Sequence, residues 1–192
     1  MQAPHLPPPR RPRIYLAGPD VFVRDSAPVF QSLQDSCQRL GLVGLPPSDG
    51  GADHTLPGGD EALAQRIYAG NIALIRQADG VLANLMNFRG LEPDSGTVFE
   101  IGYAVALGKP VVAYGVPAGS YAERVDAATA CERDAAGVLR ERANGMMVEG
   151  LGQRLNLMLT RSTEIAASAE AALQRLAALL GAGAGALYNP AR

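Results

Sequence analysis

The sequence predicts an α/β fold, a single domain built as a doubly wound parallel sheet of five strands. Two observations predict it. Short strand-type apolar runs alternate along the chain with longer runs of helical periodicity, the pattern of a parallel sheet covered by helices. And 192 residues fit one domain large enough for a substantial core.

Taken in order, residues 1–12 are rich in Pro and Arg and read as a disordered tail, leaving 13–180 as the domain and 181–192 as a Gly/Ala-rich C-terminal segment. Arg13 to Ala17 is the first strand, ended by the turn Gly18-Pro19-Asp20. Ser26 to Leu40 is a helix with Val29, Phe30, Leu33 and Leu40 on one side, and Leu42 to Leu45 a short second strand. Pro46 to Asp60, crowded with Pro, Gly and Asp, is a long mobile loop before a helix over Glu61 to Gln77. Asp79 to Leu85 is a buried strand, Met86 to Pro93 a loop, and Ser95 to Leu107 a helix stopped by Gly108 and Pro110. Val111 to Tyr114 is the fourth strand, and Val116 to Ala143 mixes loop and helix. Met146 to Val148 is expected to supply the last strand, and Leu155 to Leu180 one long amphipathic helix. With the flavodoxin-like, Rossmann-like order 2-1-3-4-5, the switch point falls between strands one and three. Ligands bind there, outside the strand C-termini. The loops at that point are Gly18 to Phe22 and Met86 to Asp94.

Composition excludes several classes. The net charge of −2, with Lys109 the only lysine, gives no nucleic-acid footprint and no attraction to an anionic membrane. No apolar run approaches the ~20 residues of a bilayer span. The N-terminal stretch lacks a signal-peptide core. Cys37 and Cys131 lack metal-type spacing, and His5 and His54 form no cluster with them, so the expectation is a reduced cytoplasmic setting, no metal and no cofactor.

The chemistry concentrates in 92–104, EPDSGTVFEIGYA, which sets Asp94 and Glu100 at the start of a helix of otherwise apolar or small residues. Asp94 is either a simple N-cap or a site carboxylate. Glu100 alone would read as a solvent-facing glutamate. Its apolar neighbours make the helix a buried one, so the carboxylate points into a cleft. Held in a dry site near a helix N-terminus, such a carboxylate is a plausible nucleophile. Asp20, from the first loop, would bring a third carboxylate to the same pocket. No phosphate-binding motif occurs, and Arg89 is the only nearby cation, so the pocket suits a neutral, hydroxyl-rich ligand. Carboxylates of this kind stabilise an oxocarbenium-like transition state, which points to glycosyl chemistry.

At these residues the chain resembles the nucleoside 2-deoxyribosyltransferases. The matching pieces are 14–22 (IYLAGPDVF), 71–79 (NIALIRQAD), 88–90 (FRG) with 94–104, and 144–149 (NGMMVE) followed by 155–158 (LNLM). Their order over residues 13–160 is what makes the signal specific. The resemblance implies transfer of 2-deoxyribose from a 2′-deoxynucleoside to a free purine or pyrimidine base by double displacement, as in nucleoside salvage. Glu100 would be the nucleophile at C1′, and Asp94 would bind sugar hydroxyls. Tyr15, Gly18, Asp20 and Phe22 would line the sugar or base pocket, although Tyr15 and Phe22 equally suit ordinary strand core. Arg89 would lie beside them. Asn156 and Met158 match residues that reach a neighbouring subunit's site, implying a homo-oligomer built from dimers with shared sites. Tyr188 approximates a terminal tyrosine that closes the site in some members.

One departure concerns Asn71, where some members carry an acid that protonates the leaving base. An asparagine can hydrogen-bond the base but not act as that acid. Water or Asp20 would have to supply the proton. The rival readings are a deoxynucleoside or deoxynucleotide N-glycosidase, and a non-catalytic nucleoside-binding module.

Overall fold

The computed structural model describes residues 10–48 and 59–181. The tail with His5, most of the 46–60 loop with His54, and the segment with Tyr188 lie outside the described residues. The core is one five-stranded sheet in the order β2-β1-β3-β4-β7. Its strands are β1 (Arg13–Ala17), β2 (Val43–Leu45), β3 (Gly80–Asn84), β4 (Val111–Tyr114) and β7 (Glu164–Ile165), and every pairing is parallel.

The period of two along the central strands sorts their side chains onto the two faces. Ile14, Leu16, Leu82 and Val112 face α1 (Ala27–Arg39) and α6 (Ala169–Gly181), packing with Cys37, Leu173 and Leu176. Tyr15, Ala17, Val81, Ala83, Val111 and Ala113 face the other way, packing with Ile75 of α2 (Gly59–Gln77) and with Ile101 and Ala104 of α3 (Ser95–Ala106). This parity puts the Tyr15 side chain on the same side of the sheet as α3. The only lysine caps the C-terminal end of α2, donating to the carbonyls of Arg76 and Ala78. No helix among the described residues is long and apolar enough to cross a membrane.

Two expectations are corrected. The fifth strand of the sheet is not Met146 to Val148 but β7, whose Glu164 and Ile165 pair with Val112 and Ala113. Val148 is buried elsewhere, with Val125 and Leu139, under the hairpin of β5 (Cys131–Arg133) and β6 (Leu139–Glu141) and helix α4 (Tyr121–Ala128). Met147 makes only an isolated antiparallel bridge to Arg140. The expected helix from Leu155 to Leu180 is likewise interrupted. It splits into α5 (Leu157–Ser162), β7 and α6. The Ser162 and Thr163 hydroxyls donate back to the carbonyls of Met158 and Leu159, which competes with helical bonding, and Thr163 turns extended at φ −128°, ψ 153°. The chain then runs on as β7, where the β-branched Ile165 suits the extended backbone.

Candidate active site

Helix α3 starts at the C-terminal edge of the sheet, where Asp94 caps it. The Asp94 Oδ2 accepts the Thr97 N–H at 2.8 Å and the Thr97 hydroxyl at 3.0 Å. Gly96, Thr97 and Glu100, spaced three and four apart, then share one helix face. That face forms a wall of a cavity of about 720 Å³, which Asp94 also lines. The helix is not buried all round, as its composition suggested. Phe99 is 53% exposed and Tyr68 52%, and these rings lie near each other and Tyr103 on the outer side, with Arg76 donating to the Tyr103 hydroxyl.

The opposite walls come from three places. Gly18, Val21 and Phe22 belong to the turn after β1, which closes as a single 3₁₀ turn over Pro19–Phe22. Leu63, Ile67 and Asn71 of α2 follow at intervals of four, and Ser26, Phe30, Pro47 and Ser48 complete the lining. Asn71 Oδ1 accepts the Ser48 N–H at 2.6 Å. That bond fixes the orientation of the amide, so its NH₂ group is the part available to a ligand.

The central contact spans 85 positions in sequence: the Tyr15 hydroxyl donates to Glu100 Oε1 at 2.6 Å. Burial pushes the Glu100 carboxyl up to about 7, the Tyr15 hydrogen bond pulls it partly back, and the negative charge of Asp94 pushes it up again. Tyr15 itself is fully buried, and its hydroxyl is held far above its ordinary value by burial first and the Glu100 charge second. The pair therefore consists of a permanently protonated donor and a carboxylate that titrates near neutrality.

The structure thus brings Gly18, Phe22, Asn71, Asp94 and Glu100 together around one cavity, with Tyr15 behind Glu100. Asp20 does not join the other two carboxylates in that lining. Asn84 Nδ2 donates to its Oδ2 at 3.0 Å and its Oδ1 at 3.3 Å, drawing the side chain to the end of β3. Arg89 sits in the left-handed region at φ 54°, exposed, its guanidinium 4.7 Å above the Phe88 ring and 5.7 Å from that of Phe22. Phe88 stacks on Phe22 at 5.2 Å, so Arg89 backs the cavity's aromatic wall without lining the cavity. Asn156 and Met158 lie outside the lining. Asn156 caps α5, accepting the Met158 N–H at 2.9 Å and donating to Glu149, while Met158 is 71% exposed. Sequence reasoning missed Leu63 and Ile67, although their spacing with Asn71 was a readable signal, and it missed Asn84. Among the described residues no group of His, Cys, Asp and Glu is arranged to hold a metal.

A family model described as nucleoside 2-deoxyribosyltransferase matches residues 14–158. A solved 2-deoxyribosyltransferase from Leishmania mexicana superposes with a TM-score of 0.67 at 32% identity, covering 87% of this chain and 97% of that one. A conserved protein from Enterococcus faecalis shares the fold, with a TM-score of 0.53 at 21% identity over 86% of this chain and 97% of that one. An uncharacterized protein of Schizosaccharomyces pombe is 33% identical over 125 residues, 64% of this chain; the match spans 58% of that relative's length.

Proposed function

Because this chain belongs to the nucleoside 2-deoxyribosyltransferase family, we propose that it exchanges the bases of 2′-deoxynucleosides by double displacement at Glu100. The observation that carries this reading is the Glu100 carboxylate at the cavity wall, gripped at Oε1 by the Tyr15 hydroxyl. With Oε1 oriented in this way, Oε2 is the oxygen for attack. It bonds to C1′ as the C1′–N bond breaks, and the electron pair leaves with the base. The amide NH₂ of Asn71 stabilises that base by donating to a ring acceptor, and the proton the base takes up comes from water. A second base then attacks C1′, loses its ring N–H proton and displaces Glu100, so the sugar keeps its configuration after two inversions. Asp94 accepts from sugar hydroxyls beside this centre, and Phe22, with Phe88 and Arg89 behind it, offers an aromatic face to the base.

The same reading includes a second copy of the chain at the site. Met146, Met147, Leu151 and Met158 are each more than 60% exposed within one short segment. Exposed apolar side chains close together in sequence fit a protein contact where they gather into one patch. They support a homo-oligomer in which Asn156 and Met158 face a neighbour's cavity.

The test is incubation with 2′-deoxyinosine, with and without free adenine or cytosine, resolved by liquid chromatography. A new deoxynucleoside only when the base is added supports transfer; hypoxanthine released equally fast without it means hydrolysis. No turnover of any deoxynucleoside would leave a nucleotide substrate or a binding module. The pH profile supplies a sharper check. Attack needs the ionised carboxylate, so kcat/KM is expected to fall tenfold per pH unit below about 7. Tyr15→Phe removes the bond that favours ionisation, and the acidic limb is expected to move to higher pH. An unmoved limb would separate Tyr15 from the chemistry.

A further inference from the structure

We propose that Asn84 and Asp20 form a clasp that sets the position of the Pro19–Phe22 turn, and through it the affinity of the site; this rests on the reading of the cavity as the nucleoside site. Asn84 is the last residue of β3, paired with Tyr114 of β4, and it is only 6% exposed. A buried carboxamide is costly unless its donors and acceptor are used. Here each group is given to a different loop. Its Nδ2 donates to both oxygens of Asp20 in the loop after β1, and its Oδ1 accepts the Met86 N–H at 3.3 Å in the loop after β3.

Two glycines make room for this arrangement. A Cβ at Gly115, in the loop after β4, would lie 2.4 Å from Asn84 Oδ1, and its φ of +72° disfavours any other residue. A Cβ at Gly18 would lie 2.8 Å from the Asn84 Cβ and 2.7 Å from Asp20 Oδ2. The loops that follow three adjacent strands therefore close on one side chain.

Besides these bonds, the turn is held by buried Pro19, by the stacking of Phe22 on Phe88 and by the Val23 N–H donated to the Asp20 carbonyl. Val21, Phe22 and Val23 are 41%, 59% and 50% exposed, so apolar burial by itself holds them only in part. Yet Val21 and Phe22, with Gly18, form one wall of the cavity. The two hydrogen bonds from Asn84 to the Asp20 side chain add a polar restraint that fixes where the turn sits. Asn84 does not itself line the cavity, and its link to the lining shown here runs through Gly18 and the Pro19–Phe22 turn. It is a positioning residue, and losing it should weaken substrate binding more than chemistry at Glu100.

The experiment exchanges the pair. Asn84→Asp keeps the shape but replaces two donated bonds by two facing carboxylates. We expect KM for 2′-deoxyinosine to rise roughly tenfold or more, with kcat within about threefold of wild type. Amide hydrogen exchange at residues 19–23 of the free protein should speed up alongside. Adding Asp20→Asn to Asn84→Asp restores the bond in the reverse direction, so KM and exchange should both return close to wild type. Asp20→Asn alone, at a half-buried position, should give an intermediate KM and carries the test with the double variant if Asn84→Asp does not fold.

An Asn84→Asp protein with unchanged KM and exchange would overturn the clasp. So would a double variant that stays as impaired as Asn84→Asp. If wild type turns over no deoxynucleoside while exchange at 19–23 still follows the pair, the clasp stands and the proposed function fails.

Discussion

Glu100→Gln is expected to lower base exchange by about 10⁴-fold or more, the scale on which removing a covalent nucleophile acts. The substitution keeps the side chain's size and leaves an oxygen to accept the Tyr15 hydroxyl, so the cavity should survive. Binding of a deoxynucleoside should therefore persist while turnover is lost, as measured by calorimetry beside the chromatographic assay. The same variant should be more stable than wild type in alkaline buffer. In the folded protein the Glu100 carboxyl is raised from an ordinary value near 4.5 to about 7, chiefly by burial. Between those values the folded state binds more protons than the unfolded chain, so this group's contribution to stability declines as pH rises and is fully unfavourable above about 7. Glutamine carries no such penalty. Its gain at pH 8 is on the order of 3 kcal/mol, and it should shrink to nothing near pH 4. Thermal melts of both proteins across that range check the sign. A Gln variant less stable than wild type at pH 8 would mean the ionised carboxylate is well accommodated and not strained by its site.

Asp94 is the second large effect, and two substitutions divide its roles. Its Oδ2 caps α3 through Thr97, and the same side chain lines the cavity beside Glu100. Asp94→Ala removes both functions and should cost about 1 kcal/mol of stability through the lost cap. Asp94→Asn retains an oxygen for the Thr97 N–H and should keep nearly all of that stability. Both variants should slow base exchange by roughly 10²- to 10³-fold, as when a group that stabilises the transition state is lost. Asparagine also removes a negative charge that raises the Glu100 carboxyl, so the acidic limb of the residual activity should move below that of wild type. If Asp94→Asn is as active as wild type, Asp94 is a cap alone.

The parts of this site legible in the sequence were those encoded locally. The continuous apolar runs of β1, β3 and β4 marked the sheet centre, and Asp94 two residues before Gly96 marked the start of α3. From these the switch-point loops followed, and with them the neighbourhood of Gly18, Phe22 and Glu100. Contacts between distant segments were not legible. Tyr15 looked like core because it is core; only the parity of β1 beneath α3 brings its hydroxyl to Glu100. Nothing local in the sequence shows that Asn84 binds Asp20 and holds it at the end of β3. Strand β7 has two residues and sits inside a helical hydrophobic pattern, so Ile165 read as one more turn of helix. Its strand conformation depends on the open edge of β4, a tertiary feature.

The covalent step is the central claim, and intact-protein mass spectrometry tests it most directly. Wild-type protein is mixed with excess 2′-deoxyinosine, with no acceptor base, and quenched in acid. The account predicts a species heavier by one deoxyribosyl group, which maps to the peptide carrying Glu100, disappears when adenine is added before the quench and never forms in Glu100→Gln. Rapid base exchange with no such adduct, or an adduct on any other residue, would contradict it.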